Sequence, residues 1–460
     1  MPGPCRKIPM PQRSPHCPPS PLPRRHRLAR ALTAGLLLGA AAVAQAQSLQ
    51  SLYDAARGYD ASYLAARALA DSAQFRYEQV KALNRPSVAL SASTTRSETD
   101  TSAGSASGTS TGAQISALQP LFNRSNSSTI DQAEKSYAVS MADLESAEQD
   151  LVVRLSQAYF DVLAAQDTLA TTRANKTAIA EQLASAKRNF EVGTATITDT
   201  REAQARYDLA TAQEIAAEND LRVRRIALDQ LVGRTDVEPR PLTVPVQLPE
   251  VLPANVEDWV TQAGQSPSVR KAQLAYEVAQ LETEKARAGH LPTVDLVGGV
   301  GRNRNTGRTA GSGLSGSTTS AQIGVELNLP LFAGYSIQNR VKETLSLEEK
   351  SRNDLEFARR SVTQGTRQAY FTVQSGLATV KALEAAEASN KLALEATQLG
   401  YKVGVRVNLD VLNAQTQLYT TQRDLARARY DVVLGNLLLR QAAGTLKPDD
   451  VGSVNRLLAP

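Results

Sequence analysis

Between residues 322 and 331, Ile323, Val325, Leu327, Leu329 and Leu331 alternate with Gln322, Gly324, Glu326 and Asn328. Successive side chains of a strand point to opposite faces, so this segment presents one face to an apolar medium and the other to a polar one. Residues 293–301 read as a second strand beside it. An earlier pair is predicted at 87–95, with Val88, Leu90 and Ala92 on one face, and at 114–122. Residues 97–112 and 302–320, rich in Ser, Thr and Gly, read as solvated loops inside the two pairs.

The rest of the pattern is helical. Residues 50–84 are Ala-rich with apolar positions at helical spacing, and Pro86 stops them. Residues 123–190 and 333–401 contain no proline. At 1.5 Å per residue each would run about 100 Å. The segments 199–232, 258–290 and 410–443 are about half as long. Two short helices stacked end to end match one long helix, which predicts a tall cylinder of packed helices. Residues 238–253 carry Pro239, Pro241, Pro245, Pro249 and Pro253 and cannot be helical, so they read as a connector near mid-cylinder.

The pattern occurs twice. Gln157-Ala158-Tyr159-Phe160 recurs as Gln368-Ala369-Tyr370-Phe371, an offset of 211 positions. The same offset carries Val192-Gly193 onto Val403-Gly404, Asp199 onto Asp410, Ala203-Gln204 onto Ala414-Gln415, and Gly233 onto Gly444. That period is far too long for a solenoid unit, so it marks a duplicated module of domain size. The predicted layout is a leader at 1–46, a first repeat at 47–237 and a Pro-rich equatorial connector at 238–257. A second repeat at 258–446 and a tail at 447–460 follow. The fold class is an α+β membrane protein with a duplicated helix-strand-strand-helix repeat.

Four strands cannot close a barrel, because the smallest membrane barrels use about eight. An open edge in lipid leaves backbone groups unsatisfied at several kcal/mol each. Transmembrane strands would therefore have to be shared among copies of the chain. Two copies supply 8 strands and three supply 12, and this reasoning leaves both open.

Composition changes the picture mainly at the N-terminus. Arg24, Arg25, Arg27 and Arg30 precede an apolar run at 31–43, and Ala44-Gln45-Ala46 follows as a small-x-small cleavage site. The run is too short to span a bilayer and reads as a signal peptide. That leader holds seven of the 51 basic residues and none of the 46 acidic ones, so the remainder carries 44 against 46. The basic pI therefore belongs to the leader and does not indicate nucleic-acid binding. Cys5 and Cys17 also lie there, and His290 is the one histidine beyond it. This inventory supplies neither a zinc site nor a Cys/His nucleophile. No enzyme activity, metal or cofactor is expected. No cysteine follows the apolar run, so no lipid anchor is expected at the new N-terminus.

One long stretch carries a family likeness: Tyr401-Lys402-Val403-Gly404-Val405-Arg406-Val407-Asn408-Leu409-Asp410-Val411-Leu412-Asn413-Ala414-Gln415. It continues through Ala428-Arg429-Tyr430 to Gly444-Thr445-Leu446, and Leu329-Pro330-Leu331-Phe332-Ala333-Gly334 forms a strand-to-helix junction. With these motifs doubled and in order, the chain after the leader resembles the TolC family of outer-membrane efflux proteins over essentially its whole length. The resemblance implies a homotrimer whose 12-stranded β-barrel, four strands per chain, continues as a long α-helical periplasmic tunnel. It implies a passive exit duct in the outer membrane of a Gram-negative bacterium. A periplasmic adaptor (membrane fusion) protein and an inner-membrane RND or ABC transporter would recruit the duct for drug efflux or type I secretion.

The resemblance also implies site residues. Family members close at the periplasmic end like an iris, and the matching positions are Thr198 and Asp199 in the first repeat and Tyr401 and Arg406 in the second. Asp199 with Arg406 would be a charge-assisted latch, and Tyr401 would offer its hydroxyl to the same carboxylate. Asp199 with Glu202 also reads as a capping box that starts the next helix. Asp410 matches a family position that forms an acidic ring at the pore constriction and would favour cations. Asp410 also suits a helix N-terminus by charge–dipole attraction. The family pattern often has a second Asp one turn later, where this chain has Asn413, which would about halve the ring charge. The alternative is a trimeric surface adhesin with a shared barrel anchor, but adhesins place their strands consecutively at the C-terminus. A periplasmic coiled-coil adaptor would show one hairpin flanked by β-rich halves.

Overall fold

The structure, a computed structural model, describes residues 47–101, 104–243, 245–307 and 315–459. The predicted signal peptide lies outside the described residues. Helix α1 (Leu49–Tyr59) leads directly into α2 (Ala61–Lys81), followed by one 3₁₀ turn. Strands β1 (Ser87–Thr101) and β2 (Gly104–Phe122) form a hairpin. The long helix α3 (Arg124–Glu191) then runs to a turn, and α4 (Ile197–Val232) returns. The second repeat follows the same order: α5 (Val256–Ala263), α6 (Pro267–Ala288), β3 (Thr293–Gly307), β4 (Gly316–Asn328), α7 (Ser336–Lys402) and α8 (Asn408–Ala442). A last helix, α9 (Asp449–Asn455), gives the C-terminal segment ordered structure.

The four strands form one antiparallel sheet in the order β1-β2-β3-β4. The central pairing, β2 with β3, joins the two repeats. The strands are longer than their alternation predicts. Residues 97–101 and 104–112, read as loop, are ladder: Ser97 pairs with Gly108 and Arg96 with Thr109. Likewise β3 continues to Gly307 and β4 begins at Gly316. Ladder hydrogen bonds use backbone groups only, so a Ser/Thr/Gly stretch can stay paired after its apolar signal has ended. At its other end β4 stops at Asn328, short of the predicted Leu331, because Pro330 has no N–H to donate.

The helices at 50–84 and 258–290 are each broken by an internal cap. Asp60 accepts from Tyr63 N at 2.8 Å and starts α2. Ser266 caps α6, whose first residue is Pro267, a position where the missing N–H costs nothing.

The main core lies at the equator. There α1, the middle of α3, the ends of α4 and α8, the connector and α9 bury Leu49, Leu52, Tyr53, Leu151, Leu155, Leu163, Leu228 and Leu437. The duplicated Gln-Ala-Tyr-Phe motif has a clear task there. Tyr159 donates to Arg240 O at 3.0 Å and accepts from Arg240 N at 2.7 Å. Its counterpart Tyr370 donates to Ala254 O. Both tyrosines thus pin the Pro-rich connector to a long helix, and each sets its ring edge-on to the following Phe. Asp60, buried, takes two bonds from Arg154 at 3.0 and 3.1 Å. The Arg154 guanidinium holds the Asp60 carboxyl below its usual range. On α3 and α8, Tyr430 donates to Asp167 at 2.7 Å, and burial pushes both groups up. The tail closes this region: Ala459 N donates to Pro241 O at 2.8 Å and Arg440 pairs with Asp450 at 2.6 Å.

Candidate functional site

Two places carry chemistry: the helix turns at the end away from the sheet, and the faces of the sheet. The turns come from equivalent sequence. After α3, Gly193 adopts φ 82°, and after α7, Gly404 adopts φ 79°. Left-handed backbone of this kind ends a helix and reverses the chain without steric cost only at glycine. Thr194 N then bonds Asn189 O at 2.8 Å, and Val405 N bonds Gly400 O at 2.9 Å.

Beyond the glycines the turns diverge. Thr196 is the N-cap of α4: its hydroxyl accepts from Asp199 N at 3.2 Å, while Asp199 accepts from Thr196 N at 3.0 Å and from its hydroxyl at 2.7 Å. This is a complete capping box in which Asp199 is the third residue of the helix. The predicted box with Asp199 as its first member and Glu202 as its second does not form, because the N-cap of α4 lies three residues earlier, at Thr196, and the helix starts at Ile197. In the second turn the N-cap is Val407, which has no side-chain acceptor. Its Asp410, the counterpart of Asp199, sits 3.5 Å from Arg406 in an exposed pair.

Within the chain, therefore, Asp199 and Arg406 do not meet. Asp199 is held by Thr196, Arg406 leans on Asp410, and Thr198 is exposed on the first turn of α4. Tyr401 does not reach Asp199 either: it accepts from Asn189 Nδ2 at 3.1 Å. Asn413 accepts from Arg206 Nη2 at 3.0 Å. These two bonds tie the repeats together, α3 to α7 and α4 to α8. Behind them Ile179, Leu183, Ala186, Ala203 and Ala210 of the first repeat bury Leu412 of the second. Asn189 and Arg206 carried no sequence signal, since their partners lie more than 200 positions away.

The sheet separates two environments. On one face the paired rows are Val88-Ala117-Gly298-Ile323 and Leu90-Ile115-Val300-Ala321. On the same face Leu296 pairs with Val325 and Val294 with Leu327. Large apolar side chains here stand open, Leu90 at 73% and Ile323 at 82%. The other face carries Ser91, Ser93, Ser110, Gln114, Asn303 and Ser320 around a polar concavity. No described helix is long and apolar enough to cross a membrane. Among the described residues no group of His, Cys, Asp and Glu could hold a metal ion.

The chain matches the family described as outer membrane efflux protein over residues 40–234 and 261–445, one segment in each repeat. The chain belongs to that family. It is 33% identical to outer membrane protein TolC of Vibrio cholerae over 89% of this chain and 93% of that protein. It is 32% identical to the alkaline protease secretion protein AprF of Pseudomonas aeruginosa, over 73% and 70%. The solved outer membrane protein VceC of Vibrio cholerae superposes with a TM-score of 0.74 at 20% identity, covering 86% of this chain and 96% of that one. The fold is thus TolC-like: two helix-strand-strand-helix repeats, four strands and long helices. As a TolC-family protein the chain is an outer-membrane efflux or secretion channel of a Gram-negative bacterium, extending into the periplasm. Channels of this family are non-enzymatic. The family implies a trimeric channel that works with efflux-pump partners. The apolar face of the sheet is accordingly the lipid face, and the helical turns lie at the periplasmic end.

Proposed function

We propose that three copies of this chain form a passive exit duct closed at its periplasmic end by the two helix turns. Three copies place 12 strands in one barrel, with β1 of one copy beside β4 of the next. Both edges otherwise leave ladder groups unpaired in lipid. A periplasmic adaptor and an inner-membrane RND or ABC transporter supply the cargo and the energy. AprF is by name a protease secretion protein, so a polypeptide is a reasonable cargo class alongside small drugs.

The observation that carries the gate reading is the pair of cross-repeat bonds at the turns, Asn189 to Tyr401 and Arg206 to Asn413. They hold the second hairpin (α7 and α8) against the first (α3 and α4) at the level where the chain reverses. Thr198, Asp199, Tyr401 and Arg406 border the joint. Arg406, 62% open and loosely paired, is free to reach a carboxylate of a neighbouring copy. Asp410, repeated three times around the axis, gives an acidic constriction, while Asn413 contributes no charge. The test is planar-bilayer conductance of the purified trimer beside Tyr401→Phe/Arg406→Ser. The gate reading expects a small, cation-preferring conductance that rises severalfold in the double variant. An unchanged conductance in a folded, inserted variant removes these residues from the gate.

A further inference from the structure

We propose that Arg96, Arg302 and Arg304 form a docking belt for phosphate-bearing lipid headgroups of the outer leaflet. The argument starts from register. Ile115 and Val300 share a lipid-face row, and strand side chains return to one face every second residue. Arg302 and Arg304 therefore stand on the lipid face, the next two positions beyond Val300 toward the hairpin ends. The row of Arg302 is completed by Ala92, Ala113 and Thr319, and that of Arg304 by Thr94, Thr111 and Ser317. One row farther out, Arg96 lines up with Thr109 and Thr306. The apolar band thus gives way, over three successive rows toward the hairpin ends, to arginines set among hydroxyls.

All three arginines are exposed, and none has a hydrogen-bond or ion-pair partner among the described residues. Of the strand carboxylates, Glu98 and Asp100 share this face, Glu98 about 7 Å beyond Arg96 along β1. Asp295 and Glu326 pair on the polar face. Arg302 and Arg304 are about 7 Å apart along their strand, close enough to share one phosphate. The planar guanidinium presents forked donors that match phosphate oxygens, with Thr and Ser hydroxyls beside them as further donors.

The opposite edge of the band is built differently. Phe122, Phe332 and Tyr335 are exposed there, with Phe332 and Tyr335 edge-to-face at 5.6 Å. Aromatic rings anchor membrane boundaries by their amphipathic shape. Beyond Ile115 and Val300 the described strands have no aromatic residue on this face, so the outer boundary is held by charge. A cationic, hydroxyl-rimmed edge directly against an apolar band fits one occupant, a lipid whose headgroup carries phosphate.

The experiment uses the full-length trimer in neutral detergent. Retained fluorescent lipid A, a bis-phosphorylated glycolipid, is compared with its phosphate-free form. The proposal expects the phosphorylated lipid to be enriched, and Arg96→Gln/Arg302→Gln/Arg304→Gln to lower that enrichment at least about tenfold. Should the triple variant fail to assemble, Arg304→Gln alone is expected to lower it about fivefold. Equal retention of the phosphate-free lipid, or no loss in the variants, overturns the proposal. Displacement of the lipid by millimolar inorganic phosphate also overturns it, since the site would then take a free ion.

Discussion

The two periplasmic turns share a backbone design and differ in what stabilises it. Each ends a long helix on a left-handed glycine and starts the return helix with an Asp at its third position. In the first turn Thr196 and Asp199 satisfy each other and the backbone, the carboxylate using one of its oxygens to do so. In the second, Val407 cannot cap, so the first N–H groups of α8 lack a side-chain acceptor and Asp410 is drawn to Arg406 instead. A side-chain cap contributes about 1 kcal/mol, and an exposed ion pair such as Arg406–Asp410 at most about that and often nothing measurable. Duplication therefore produced one fixed turn and one adaptable turn. The proposed gate would use such an asymmetry, with the first hairpin as frame and the second as leaf.

The largest effect is expected away from the turns and serves as the control. Arg154→Ala strands the buried Asp60 carboxylate and should lower stability by about 2 kcal/mol, reduced from a fully buried pair because Arg154 is partly open. Its pH signature is specific. Asp60 titrates below its usual range when paired, so the stabilisation is full above that range and is lost as pH falls through the lowered value. Thermal unfolding of wild type and variant should converge under acid, and both turns should be affected alike. Next in size, Thr196→Ala removes the box and should cost about 1 kcal/mol, visible as faster amide exchange confined to the first turn. Smallest, Val407→Thr gives the second turn the missing cap and should add about 0.5 kcal/mol there. The same change should draw Asp410 from Arg406 and lower the channel's open probability in single-channel records. If Val407→Thr leaves exchange unchanged, the cap is not what separates the turns.

Much of this architecture could be read from the chain. The long helices were legible because nearly 70 residues pass without proline, and the repeat because its motifs recur at one offset. The outer halves of the strands were not, since Ser, Thr and Gly mark solvent exposure while their backbones stay paired. The role of Asp199 was half legible. Thr196-Ile197-Thr198-Asp199 has box spacing as surely as Asp199 and Glu202 do, and only the true start of α4 separates the two. The partners of Tyr401 and Asn413 were hidden for another reason. Asn189 and Arg206 are polar residues on polar helices, and only folding brings them near the second repeat.

The most direct test of the asymmetry is amide hydrogen exchange on the intact trimer, comparing residues 189–200 with 400–411. The account predicts faster exchange at the start of α8 than at the start of α4, with the difference largely abolished in Val407→Thr. Equal protection of the two turns, or slower exchange at the second, would contradict it.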